Sequence, residues 1–141
     1  MALTAARKAF ELRYFGALGA VSAALPRLRP GGSVVLTTGS AADRPGAGWS
    51  IASSICGAMD FPGRALAVEL APLRVNAVKP GVVRTPLWSG MSTQALYEAA
   101  KVLPLGRVRE PSDIAAAYIY LMNQEYATGS IVTVDGGHVL V

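Results

Sequence analysis

The chain has 141 residues, a net charge of +4 at pH 7, 52% apolar and 16% charged residues, and a mean hydropathy of +0.38. That length suits one domain that buries roughly two-thirds of its unfolded surface, and the composition excludes a disordered chain. The 13 Lys and Arg are scattered, without a run or an interleaved aromatic row, which argues against nucleic acid as a partner.

Thr4 stands where it can cap a first helix, whose apolar residues Phe10, Tyr14, Ala17, Leu18, Val21 and Leu25 recur at helical steps until Pro30-Gly31-Gly32. SVVLTTG, Ser33 to Gly39, is a short β-branched run that reads as a strand buried on both faces. Ala41 to Trp49 is a Gly/Pro loop, and a second helix is expected from about Ser53 to Leu70, closed by Pro72. Pro62-Gly63 falls inside that pattern, where proline costs about 3 kcal/mol and kinks a helix. Arg74 to Val78 is a second buried strand, ended by Pro80-Gly81. Thr85 to Leu105 is mixed, with a short helix around Thr93 to Val102. Pro111 opens a third long helix reaching about Met122, Ser130 to Val134 is a last strand, and Asp135-Gly136-Gly137 is a turn. Strands alternating with helices imply an α/β domain with a doubly wound parallel sheet, here with three strands.

No apolar run approaches the about 20 residues that span a bilayer, and Met1 to Leu25 lack the order of a signal peptide. One cysteine, Cys56, excludes an intrachain disulfide, and one histidine, His138, far from it in the chain, leaves no zinc-type ligand cluster. A cytoplasmic protein is expected, with no metal site and neither membrane nor nucleic acid as partner. The oily composition implies that some surface meets another protein segment.

Four stretches, GGSVVLTTGSAA (Gly31 to Ala42), RALAVELAPLRVNAVKPGVVRTP (Arg64 to Pro86), GRVREPSDIAAAYIYLM (Gly106 to Met122) and TGSIVTVDGG (Thr128 to Gly137), together resemble the C-terminal half of the short-chain dehydrogenase/reductase family. The resemblance implies a single Rossmann-like domain over residues 1–141, truncated to about three strands. It also implies an NAD or NADP cofactor and hydride transfer on a small carbonyl or alcohol substrate. Pro80, Gly81, Val83 and Thr85 match the family segment that binds the nicotinamide carboxamide. The helices at Thr4 to Leu25 and around Cys56 correspond to the family's dimer helices, so a homo-oligomer is expected.

Two departures stand out. Nothing before Ser33 supplies the strand, glycine-rich turn and helix that hold the cofactor pyrophosphate in the family, so the phosphate-binding half is absent from these residues. Counting back from Arg64, the family's catalytic tyrosine position falls on Ala52 and its lysine on Cys56, and the asparagine position falls on Arg13. Alanine has no proton to give, and a neutral thiol is no cation. The serine position falls on Gly39 or, with a one-residue shift, on Ser40, which makes Ser40 the catalytic candidate.

Tyr97 and Lys101 repeat the family's spacing but lie after PGVVRTP, in the region of the family's mobile flap, and read as the wet side of an amphipathic helix. Cys56 reads as a half-buried helix cysteine and His138 as a surface or interface side chain. Two functions therefore compete: a nicotinamide-linked oxidoreductase, impaired or inactive as this chain unless an upstream segment or a partner supplies the missing half, with a non-standard proton donor such as Ser40 or water; and a non-catalytic oligomerising or ligand-binding remnant of the family.

Overall fold

The computed structural model describes residues 2–141. The first helical stretch consists of α1 (Leu3–Phe10) and α2 (Gly16–Ala24), joined without a break by the π-helical segment Glu11–Phe15. It begins two residues earlier than the sequence suggests, with Ala2 rather than Thr4 at the N-cap and no side chain capping it. Thr4 is therefore already inside the first turn, where its hydroxyl has no cap to make.

β1 (Ser33–Thr37) leads through a short 3₁₀ turn, Ser40–Ala42, into the Gly/Pro loop. The expected second helix is two helices, α3 (Ser50–Asp60) and α4 (Pro62–Glu69). The break at Phe61 puts Pro62 at the first position of α4, where the missing N–H and fixed φ are tolerated, so the interior penalty does not arise. β2 (Arg74–Pro80), α5 (Thr93–Lys101), α6 (Pro111–Asn123) and β3 (Ile131–Val134) follow close to their expected places, β2 running two residues beyond Val78. α6 is opened by a reciprocal capping box between Glu110 and Asp113, with Pro111 at its first position.

The sheet is parallel, in the order β1-β2-β3, with Val35 opposite Asn76 and Val78 opposite Val132. One face packs Leu36, Val75 and Ala77 against Val21, Ile55 and Met59 from α2 and α3. The other face packs Val78 against Ile114, Ala117 and Leu121 of α6. β2 is covered on both faces, which is why its sequence is apolar with little alternation. Its buried polar residue, Asn76, is satisfied by the segment entering β3: Nδ2 donates to the Ala127 carbonyl at 2.8 Å and Oδ1 accepts from Ser130 N–H at 3.0 Å. Arg74 gathers the exposed carbonyls at the end of α6, donating to Leu121 at 3.0 Å and Gln124 at 2.6 Å.

Among the described residues β1 pairs on one side only. Its other edge borders a groove of about 600 Å³ along α2, lined by Leu12, Ala17, Val21 and Val34. No helix among the described residues is long and apolar enough to cross a membrane.

At the C-terminal end of the sheet Lys79 is 6% exposed. Its ammonium donates to Asp43 at 2.6 Å and to Asp60 at 2.8 Å, while Thr38 donates to the other oxygen of Asp60 at 2.5 Å. Burial is the strongest single influence on Lys79 and would lower its pKa, but the hydrogen bonds to Asp43 and Asp60 and their charges together outweigh it and raise the pKa. A Lys79→Met variant leaves Asp60 half-enclosed without its cation. It is expected to lose stability toward the low end of about 3–5 kcal/mol, because Asp43 can still turn to water. The native contribution is full below the unfolded lysine pKa of about 10.4 and disappears as pH rises through the raised folded value. Urea unfolding at pH 7 and at rising alkaline pH checks both points; an unchanged midpoint at pH 7 would remove this network from the account of stability.

Candidate active site

The loops that leave the C-terminal ends of β1 and β2 face each other across a cleft of about 710 Å³. Ser40, Pro80, Gly81, Val83 and Thr85 all line it, as do Arg13, Ala52 and Cys56. The fold therefore brings together every residue matched to the family's catalytic and nicotinamide positions, including those whose side chains have changed.

Each is held by local backbone chemistry. Gly81 N–H donates to the Val134 carbonyl at 3.1 Å, which extends the sheet past Pro80. Val83 forms an isolated parallel bridge with Arg109, and Arg84 N–H donates to the Arg109 carbonyl at 3.0 Å. Thr85 precedes the 3₁₀ turn Pro86–Trp88, and its hydroxyl has no partner among the described residues. Gly39 lies so close to α3 that a Cβ there would stand 2.8 Å from Cys56 Sγ. A serine side chain has no room at Gly39, whereas Ser40 lines the cleft while remaining 4% exposed. Arg13, at the asparagine position, sits in the π-helical segment and is exposed.

His138, expected at the surface or an interface, follows the Asp135-Gly136-Gly137 turn and meets Ser40 there. It is half-buried, and its Nδ1 lies 3.1 Å from Ser40 Oγ. Burial is the main cause that lowers its pKa from the ordinary value, and the charges of Arg109 and Arg44 act the same way, while Asp135 opposes them. His138 also lines a second cavity of about 540 Å³ beneath α5, walled by Met91, Leu96 and Leu103. The two cavities share Trp49, Val82 and Trp88, and the indole rings of the two tryptophans stand 6.3 Å apart. The Ser40–His138 contact thus lies where a ligand in either space is within reach.

Tyr97 and Lys101 take no part in either cavity. Tyr97 is 47% exposed, and Lys101 donates to Glu98 at 2.8 Å on the outer face of α5. Ala52 and Cys56, which counting matches to the family's tyrosine and lysine, do line the cleft, but Ala52 offers no proton and Cys56 no charge. Burial is the main cause that raises the Cys56 pKa and Asp60 adds to it, against the lowering influence of Arg13 and Lys79.

A parallel sheet wrapped by helices on both faces, with its cleft at the strands' C-terminal ends, defines a Rossmann-like protein. The family model described as Enoyl-(Acyl carrier protein) reductase matches residues 1–138, and the chain belongs to the short-chain dehydrogenase/reductase family of oxidoreductases. It is 40% identical over 117 residues to the short-chain dehydrogenase/reductase malC of Malbranchea aurantiaca, covering 80% of this chain and 44% of that protein. It is 35% identical over 113 residues to the 3-oxoacyl-[acyl-carrier-protein] reductase of Homo sapiens, covering 79% of this chain and 46% of that protein. Among solved structures it superposes on a small-chain dehydrogenase in complex with NADPH with a TM-score of 0.95 at 35% identity, over 100% of this chain and 66% of that one. The MalC reductase/Diels-Alderase of Malbranchea aurantiaca superposes with a TM-score of 0.88 at 34% identity, over 100% of this chain and 57% of that one. The chain spans about half the length of the curated relatives it matches.

The nicotinamide end of a dinucleotide fits the cleft, since the backbone from Pro80 to Thr85 lines it and leaves a free hydroxyl. Among the described residues no strand runs into a glycine-rich turn and helix N-terminus that would cradle the phosphates.

The buried, pKa-raised thiol of Cys56 is expected to react with a disulfide reagent at pH 7 at least about tenfold more slowly than the same cysteine in the urea-unfolded chain, with the rate climbing as pH rises. Absorbance-monitored thiol titration measures this. Equal rates in the folded and unfolded chain would show that Sγ is open and its charge stabilised.

Proposed function

We infer that the protein is an oxidoreductase that passes hydride between a nicotinamide dinucleotide, NAD or NADP, and a small carbonyl or alcohol substrate, with Ser40 as the proton donor and acceptor. The observation that carries this reading is the cleft that gathers Ser40 with Pro80, Gly81, Val83 and Thr85. When bound, the dinucleotide supplies or accepts the hydride. The chain's own residues do the rest. The backbone from Pro80 to Thr85 orients the carboxamide end, Trp49 and Trp88 shield the reacting carbon from water, and Ser40 exchanges the proton at the substrate oxygen.

Self-association is part of the proposal. Leu12 and Phe15 on the first helical stretch are 75% and 55% exposed, and Phe61 and Val68 beside and on α4 are 69% and 80% exposed. A lone unpaired cysteine suits a reducing compartment such as the cytoplasm. The second reading, a non-catalytic oligomerising or ligand-binding remnant, is favoured by Ala52 and Cys56 standing where the family carries its proton donor and cation.

Calorimetric titration of the purified chain with NADH and with NADPH decides between them. Saturable one-to-one binding is expected, and Ser40→Ala is expected to keep that binding while lowering turnover of an aldehyde and ketone panel by about 10²–10⁴-fold. No heat at millimolar cofactor would leave the non-catalytic reading standing, and a fully active Ser40→Ala would remove Ser40 from the chemistry.

A further inference from the structure

The chain carries one histidine, and the fold sets it against the serine of the cleft across 98 residues of sequence. The turn that presents it is tightly determined. The Asp135 carboxylate, on a residue 7% exposed, accepts from Gly137 N–H and Val139 N–H at 2.9 Å each. Gly137 has φ of 87°, and a Cβ there would lie 2.5 Å from Pro104 Cγ, so only glycine suits this corner. The imidazole is thus held in place from both sides, by its own turn and by Ser40.

We propose that Ser40 and His138 form a proton relay that stands in for the missing tyrosine and lysine: Ser40 Oγ meets the substrate oxygen in the cleft, and His138 Nδ1 exchanges the proton behind it. This rests on the oxidoreductase reading above. In the oxidising direction the alcohol O–H bond breaks and its proton passes to Ser40 Oγ, while the Ser40 proton passes to His138 Nδ1. The alcohol carbon loses hydride to an oxidised nicotinamide dinucleotide, and the C–O bond becomes C=O. The balance is alcohol plus oxidised dinucleotide giving carbonyl, reduced dinucleotide and one proton, the last held as imidazolium until it passes to water and leaves Nδ1 free again. In the reducing direction each transfer runs backwards and the imidazolium is the acid. Asp135 is a positioning residue, which acts by fixing the turn.

The charges facing the ring come from three places: Arg44 in the loop after β1, Arg109 in the stretch before α6, and Asp135 on its own turn. Burial and the two guanidinium groups outweigh Asp135, so the ring is mainly neutral at pH 7, which is the form oxidation needs. Reduction needs the charged form, so it is full below the lowered pKa and falls as pH rises through it. Oxidation rises over the same window.

Because there is one imidazole, its titration and tautomer can be read directly by ¹⁵N NMR of the full chain, with turnover measured in both directions beside it. The expected midpoint lies below about 6.5, and Ser40→Ala is expected to shift the tautomer balance by removing the partner of Nδ1. His138→Ala is expected to lose about 10²-fold or more in turnover and its pH limb, and to recover with added imidazole. An imidazole whose tautomer and midpoint ignore Ser40→Ala overturns the relay whatever the activity. Cofactor binding with a wild-type pH limb in His138→Ala overturns the relay and leaves the oxidoreductase reading intact. A coupled imidazole in a chain that binds neither NADH nor NADPH overturns both.

Discussion

The site depends on where one buried ammonium finds its partners. Lys79 ends β2 inside the protein, and a charge withdrawn from water must be met by counter-charge and hydrogen bonds. Asp60, at the end of α3, and Asp43, in the loop after β1, supply them. The one Thr38 hydroxyl proton is shared between the same Asp60 carboxylate, at 2.5 Å, and the Cys56 carbonyl, at 2.8 Å. The path of residues 38–43 is thereby tied to α3 directly at Thr38 and, at Asp43, to Lys79 of β2, which itself holds Asp60 of α3. Between those ties Gly39 passes against Cys56 where no side chain fits, and Ser40 turns into the cleft. Ser40 is placed by electrostatics two residues upstream and three downstream of it.

Much of the scaffold was legible because local chemistry and tertiary role agree. β2 reads as a buried strand because both its faces are covered, and α6 announces itself through Pro111-Ser112-Asp113 at its start. The α3–α4 break was not legible in the same way. The apolar pattern continues across Phe61, so Pro62 looks like an interior fault, and only the backbone shows that it starts a new helix. The cap at Thr4 failed for a similar reason: alanine can occupy an N-cap when the following helix is stabilised elsewhere, and a capping residue nearby does not oblige the helix to start there.

The cleft was legible in part. Pro80 to Thr85 and Ser40 could be found because each belongs to a contiguous motif. His138 could not be found from spacing, since it meets Ser40 across the sheet. Topology did carry a signal. In a parallel sheet all strand C-termini lie on one edge, so the loops leaving them converge. Ser40 follows β1, Pro80 to Thr85 end and follow β2, and His138 follows β3. Treating the last of these as an isolated turn hid the convergence. The Lys79 network was hidden differently, because a lysine in an apolar strand shows its worth only once its two aspartates are in place.

Arg109 joins these parts. Its guanidinium is wedged between two glycines: a Cβ on Gly81 would stand 2.7 Å from Cζ, and one on Gly136 would stand 3.2 Å from Nε and Nη2. Nη1 donates to the Val82 carbonyl at 2.9 Å, while Nε and Nη2 have no partner among the described residues. A planar, rigid group held this way leaves little freedom to either neighbour. One neighbour is the segment assigned to the nicotinamide, and the other is the turn that carries His138. The same guanidinium also opposes charge on the imidazole. The wedge therefore couples the position of the Pro80–Thr85 segment to both the position of the His138 turn and the protonation of its imidazole. The glycines at 81 and 136 are what allow one arginine to touch both.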